Sequence, residues 1–129
     1  MIRLSKSCIG ETEKQAVLGV LSREFLGMGK EVLQFEEELT KFFDRPAVCV
    51  TNGTAAIHLA LQAMGIGNCD EVLVQSLTYV ASFQAISATG AKPIACEIDP
   101  ESLCLDWKDA EKRLSKNTKA VMPVHYSGG

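Results

Sequence analysis

From Ala47 onward, four short apolar runs ("AVCVT", "EVLVQ", "KPIACEI" and "KAVMPV") alternate with stretches of helical periodicity. A strand with no polar alternation needs apolar cover on both faces, which a sheet obtains when helices lie on either side of it. The intervening helices run to about 9 to 12 residues, the scale of a βαβ crossover. The expected fold class is therefore α/β, a three-layer arrangement with a mostly parallel sheet of about four strands and flanking helices.

Ahead of Asp44-Arg45-Pro46 the pattern is purely helical. Val17, Leu18, Leu21 and Phe25 predict an amphipathic helix from Glu11 to about Phe25, and Gly27 and Gly29 then break it. A second helix is predicted from about Lys30 to Phe43, with Val32, Phe35, Leu39, Phe42 and Phe43 on one stripe and Glu36, Glu37, Glu38 and Lys41 mostly on the other. Residues 1–45 are thus expected to form N-terminal helices and residues 46–129 the βαβ units, together one partial domain.

Further along, "AAIHLALQAM" reads as a helix whose only polar members are His58 and Gln62, so it should be covered nearly all round, with His58 facing solvent or an interface. "YVASFQAISAT" reads as a helix stopped by Gly90, and Asp106 as the cap of a short helix from Trp107 to about Ser115.

Hydrophobic residues make up 47% of the 129 and charged residues 22%, enough to bury a core and too apolar for disorder. A net charge of -3, with no run of Lys or Arg able to track a phosphate backbone, argues against nucleic acid as a partner. No stretch approaches the roughly 20 apolar residues of a membrane helix. The opening "MIRLSKSCIGETEKQ" lacks the apolar segment of a secretion signal, so no membrane partner and a cytoplasmic location are expected. The five cysteines are odd in number and scattered without C-x-x-C, which gives no metal or disulfide framework; Cys49 and Cys96 read as small core side chains.

The turn Asn52-Gly53-Thr54 stands where an apolar run gives way to a helix. In a parallel sheet that place is the carboxyl rim, where ligands bind. Gly53 removes a Cβ so that backbone can approach a ligand. The first N–H groups of the helix and the positive end of its dipole attract an anion, and Thr54 adds a hydroxyl. The same triplet also suits a purely structural role, with Gly53 in a left-handed turn and Thr54 capping the helix. It is neither a P-loop nor a dinucleotide fingerprint.

"FEEELTKFF", the long segment from "TNGTAAIHLALQAMG" through "SLTYVASFQAISATGAKPIACEI", and "TKAVMPVHYSGG" together resemble the opening part of the DegT/DnrJ/StrS-type sugar-nucleotide aminotransferases, over about Gly27 to Gly129. Those are pyridoxal-phosphate enzymes of the large aspartate-aminotransferase fold. The resemblance implies that Gly53, Thr54 and Ala55 belong to the cradle for the cofactor phosphate, and that Tyr79 in "SLTYVAS" stacks on the pyridine ring and excludes water. His125 matches a common family position and is given no proton-transfer role. Two departures stand out. Gln75 replaces a usual proline and is expected to loosen the turn leading to Tyr79, and Asn68-Cys69 replaces a usual glycine pair.

The family's chemistry needs a lysine that bonds the cofactor covalently and a carboxylate that keeps the pyridine nitrogen protonated. The resemblance puts both downstream of "VHYSGG", and none of the nine lysines here stands in such a context, so no catalytic residue is assigned. The expected function is that of an N-terminal fragment of a pyridoxal-phosphate-dependent aminotransferase for nucleotide-linked keto sugars, inactive alone. The alternatives are a non-catalytic phosphate-binding or oligomerisation module, or one half of a split enzyme. The family's sheet order would leave "AVCVT" without its neighbours, so its backbone needs other partners: a strand of the same chain, a second copy in a homo-oligomer, or a complementary C-terminal half.

Overall fold

A computed structural model describes residues 6–128. The first five residues, part of the stretch read above for a secretion signal, and Gly129 at the end of "VHYSGG" lie outside them. The chain divides into two compact units, one up to Cys49 and one from Val50 onward.

The first unit holds α1 (Glu11–Leu21) and α2 (Lys30–Phe43). Glu13 reaches back to accept the Gly10 N–H at 2.6 Å, satisfying a donor at the start of α1. That helix stops four residues short of Phe25, because Ser22–Glu24 form a turn in which Glu24 is left-handed (φ 56°). Helix α2 has the predicted bounds and ends at Asp44, also left-handed (φ 51°). Neither helix contains a buried residue.

The run Ala47–Thr51, expected as a first strand, joins no sheet; the sheet has three strands rather than four. Two of its N–H groups are instead bonded by side chains of α2. Thr40 Oγ1 accepts the Ala47 N–H at 3.1 Å, and Glu36 Oε1 accepts the Cys49 N–H at 2.7 Å. A β-branched, apolar composition sets a preference for extended backbone, but a strand exists only where a ladder partner does.

The second unit is an α/β fold. Its elements are α3 (Gly53–Ala63), β1 (Glu71–Gln75), α4 (Ala81–Ala88), β2 (Lys92–Cys96), α5 (Trp107–Lys112), β3 (Thr118–Met122) and a 3-10 turn at Tyr126–Gly128. The sheet is wholly parallel in the order β2-β1-β3, with Leu73 opposite Ile94 on one side and Val121 on the other. As the central strand, β1 is buried on both faces, which is why "EVLVQ" has no polar alternation. Val72 and Val74 face Leu61, Ile66, Ile86 and Ala91 from α3, α4 and their loops. Leu73 faces the other way, onto Cys96, Leu105 and Ala110. Helical cover on both sheet faces gives three layers.

Loop chemistry closes each element. After α3, Gly65 is left-handed (φ 75°), with Ile66 N–H to Leu61 O at 3.1 Å and Gly65 N–H to Gln62 O at 2.9 Å, a Schellman ending. Gly90 ends α4 the same way in hand (φ 88°). Asp106 caps α5 through the Lys108 and Asp109 amides, as predicted, though α5 ends at Lys112 rather than Ser115. The Asp109 carboxylate receives hydrogen bonds from Arg113 Nε at 2.5 Å and Glu97 N–H at 2.8 Å, which hold it below the ordinary aspartate range. Burial pushes the Cys96 thiol up.

Helix α3 is not covered all round. Leu61 is its one buried residue, while Leu59 is 50% and Met64 64% exposed, because α3 packs on α4 and the sheet along a single face. His58, expected towards solvent or an interface, is half-buried with its Nε2 shielded from water and without a hydrogen-bond partner.

Candidate functional site

Two loops leave the carboxyl rim of the sheet beside the start of α3: residues 76–80 after β1 and residues 123–125 after β3. Together with the first turn of α3 they border an open cavity of about 560 Å³. One wall is Asn52, Gly53 and Thr54. A second is Thr78, Tyr79 and Ser82, and Val124 contributes a third.

The first wall is built around an unoccupied edge of backbone. Asn52, not Thr54, is the N-cap: it is extended, and its Oδ1 accepts the Ala55 N–H at 2.9 Å. Gly53 and Thr54 follow as the first two helical residues, so their N–H groups have no acceptor inside the helix. No other described residue accepts from them. Gly53 is not left-handed, which removes the turn-forming reason for glycine, and a Cβ built on it would meet no atom within 4 Å. Glycine here leaves space at the mouth of the cavity rather than solving a problem of the fold.

The second wall comes from the entry to α4. Thr78 Oγ1 and Ser82 Oγ lie 2.9 Å apart, and the Tyr79 side chain is 79% exposed, so its ring face is available to a ligand. Residues from the first turns of α3 and α4 both border the cavity, so two positive helix ends lie close to it. Among the described residues, no lysine, arginine or carboxylate lines it. The free Gly53 and Thr54 amides at the positive end of α3, with the Thr54 hydroxyl beside them, make an anion site, next to an exposed aromatic face.

The structure brings together three of the four residues singled out above, Gly53, Thr54 and Tyr79. Ala55 is not on the cavity wall, and its N–H is already committed to Asn52. The sequence placed Asn52 in the turn without its capping role and passed over Thr78 and Ser82; the Thr-x-x-x-Ser spacing in "TYVAS" puts two hydroxyls one helical turn apart and was the signal for that pair. Gln75 does the opposite of loosening the turn before Tyr79. It is fully buried, and its side chain ties that turn down, with Nε2 donating to Leu77 O at 2.8 Å. In the glycine-pair position, Cys69 keeps the left-handed conformation a glycine would adopt (φ 72°). Residues 123–125 carry His125 past this cavity, which His125 does not line.

A family model described as the DegT/DnrJ/EryC1/StrS aminotransferase family matches residues 7–129. GDP-perosamine synthase from Vibrio cholerae is 46% identical over 101 residues, covering 78% of this chain and 28% of that protein. The spore coat polysaccharide biosynthesis protein SpsC of Bacillus subtilis (strain 168) is 41% identical over 121 residues, covering 93% of this chain and 31% of its own length. Among solved structures, a protein described as a sugar aminotransferase, Spr1654 from Streptococcus pneumoniae, superimposes in its PMP form with a TM-score of 0.89 at 30% identity, covering 98% of this chain and 32% of that one. The same protein is also known in a PLP form. The chain spans about 30% of the length of the curated relatives it matches.

Proposed function

We propose that this chain, which belongs to the DegT/DnrJ/EryC1/StrS aminotransferase family, is the N-terminal, phosphate-gripping part of an aminotransferase acting on nucleotide-linked keto sugars. Pyridoxal phosphate is the cofactor that family membership implies. The observation that carries the reading is the convergence, on one cavity, of unbonded Gly53 and Thr54 amides with the exposed Tyr79 ring. The names of relatives that make GDP-perosamine and spore-coat polysaccharide support a nucleotide-sugar substrate.

The cofactor, when bound, supplies an electron sink for the carbon bearing the amino group. The residues of this chain bind and orient it. Gly53 and Thr54 N–H donate to the phosphate, aided by the Thr54 hydroxyl, and charge-assisted bonds of this kind contribute about 1.5–3 kcal/mol each. Ala55 contributes only as the third residue of that turn. Tyr79 stacks on the ring, fixes its plane and keeps water from one face. Among the described residues no lysine borders the cavity, so no residue here is assigned the covalent step. That step falls to a further part of the polypeptide or to a complementary chain, and the family site is completed in a homo-oligomer or a paired half.

The same absence of a bordering lysine favours a second reading, in which the chain is a phosphate-binding assembly module without catalysis. Titrating the chain with pyridoxal phosphate while following its visible absorbance tests both. The expected outcome is saturable binding that inorganic phosphate competes away, with no turnover of an amino donor with a sugar-nucleotide ketone. Turnover would replace the fragment reading by a self-sufficient enzyme. Binding of neither pyridoxal phosphate nor phosphate would remove the site.

A further inference from the structure

Gln75 closes β1 and has no exposed surface, an unusual place for an uncharged amide unless both of its functions are met. They are met by two different segments. Nε2 donates to Leu77 O at 2.8 Å, with a longer approach to Leu103 O at 3.5 Å, and Oε1 accepts the Val124 N–H at 2.9 Å. Leu77 immediately precedes Thr78 and Tyr79, the second wall of the cavity, and Val124 is the third wall. One buried side chain therefore spans the gap between two walls. The Tyr79 side chain, at 79% exposure, has little packing of its own to hold it, so the place of its ring is set by the backbone that carries it.

Building on the cofactor-site reading above, we propose that Gln75 is a positioning residue that fixes the Thr78–Tyr79 wall against Val124 and so sets where a planar ring stacks, while leaving the Gly53-Thr54 anion turn alone. The two tasks are separable because no hydrogen bond of Gln75 reaches the Asn52–Ala55 turn. The side chain thus governs affinity for the ring and not affinity for the phosphate. Replacing the amide by an apolar group leaves the Leu77 carbonyl and the Val124 N–H without partners, which allows the loop to move.

The test uses the whole 129-residue chain and two probes, pyridoxal phosphate and inorganic phosphate. Gln75→Glu keeps an acceptor for Val124 N–H but sets an oxygen against Leu77 O; Gln75→Met keeps length and removes both bonds. Either variant should bind pyridoxal phosphate about tenfold more weakly, and phosphate within about twofold of the unsubstituted chain. In a Tyr79→Ala background the Gln75 substitutions should add nothing further, and in the absence of ligand the Val124 amide of Gln75→Met should exchange with solvent faster. Equal weakening of both probes, or losses that add to those of Tyr79→Ala, would overturn the positioning role. If Gln75→Glu fails to fold, Gln75→Met carries the comparison. Failure of the unsubstituted chain to bind either probe would overturn the cofactor-site reading and this one with it, a result distinct from tight binding that is indifferent to Gln75.

Discussion

The entry to α3 at Asn52-Gly53-Thr54 and the exit from α4 at Thr89-Gly90-Ala91 are both helix boundaries built on glycine, and the two glycines do different things. Gly90 is left-handed (φ 88°), and a Cβ there would run into the Asn68 side chain. Thr89 Oγ1 reinforces the ending by bonding Ile86 O at 2.8 Å and accepting the Ala91 N–H at 3.2 Å. Gly53 has neither a left-handed backbone nor a neighbour within 4 Å of a built Cβ, and the capping is done by Asn52. One glycine is demanded by the fold; the other is not, although the chain keeps it at the mouth of a cavity. A residue whose identity the fold does not require is the better pointer to a ligand.

Gly90→Ala should separate the two most sharply. Forcing an L side chain into the left-handed region costs about 1–2 kcal/mol, and turning Asn68 aside adds to it, so urea unfolding should show a loss of about 2 kcal/mol with the slope unchanged. No loss would mean that the exit from α4 relaxes freely, and the contrast with Gly53 would vanish. Asn52→Ala should cost about 1 kcal/mol, because the Ala55 N–H loses its cap. A cost near zero would show that the entry to α3 is capped by some other group.

Cys69→Gly runs in the opposite direction. Cys69 is exposed and left-handed (φ 72°), with its side chain in a backbone conformation that suits glycine. Relief of that conformation should raise stability by up to about 1 kcal/mol, less the entropy a glycine adds to the unfolded chain. A loss on thermal or urea unfolding would place Cys69 among residues the fold uses.

Much of this was legible. The bounds of α2 and β1 follow from the sequence residue for residue, because a stripe of period 3.6 and an unbroken apolar run leave few alternatives. Asp106 was legible as a cap for the same local reason. What escaped was non-local. "AVCVT" has strand composition, yet its partners are Glu36 and Thr40, side chains on a preceding helix that no local pattern connects to it. The cover expected around α3 was inferred from its apolarity, and apolarity states a demand without showing that it is met. Gln75 was recognised as a departure from proline, but its effect depends on Val124, 49 residues away. In the candidate site, Gly53 and Tyr79 were singled out through motifs, whereas the commitment of the Ala55 amide to Asn52 is a matter of three-dimensional geometry alone.

Gly53→Ala has the smallest expected effect on stability and the largest bearing on the comparison. The backbone at Gly53 is not left-handed and the Cβ position is open, so alanine is admitted without strain. Alanine also prefers helix to glycine, so unfolding should shift by no more than about 0.5 kcal/mol, in the stabilising direction. If the anion is held at the Gly53 and Thr54 amides, an added methyl group at Gly53 is expected to hinder it, and losing one charge-assisted bond of about 1.5–3 kcal/mol would weaken binding of pyridoxal phosphate at least tenfold. Inorganic phosphate should weaken by the same factor, since the damage falls on the shared anionic group. Stability and affinity then move apart at Gly53, whereas at Gly90 the loss is one of stability. If Gly53→Ala leaves both probes bound as before, the open Cβ position is merely unfilled space, and the anion site must be sought away from the start of α3.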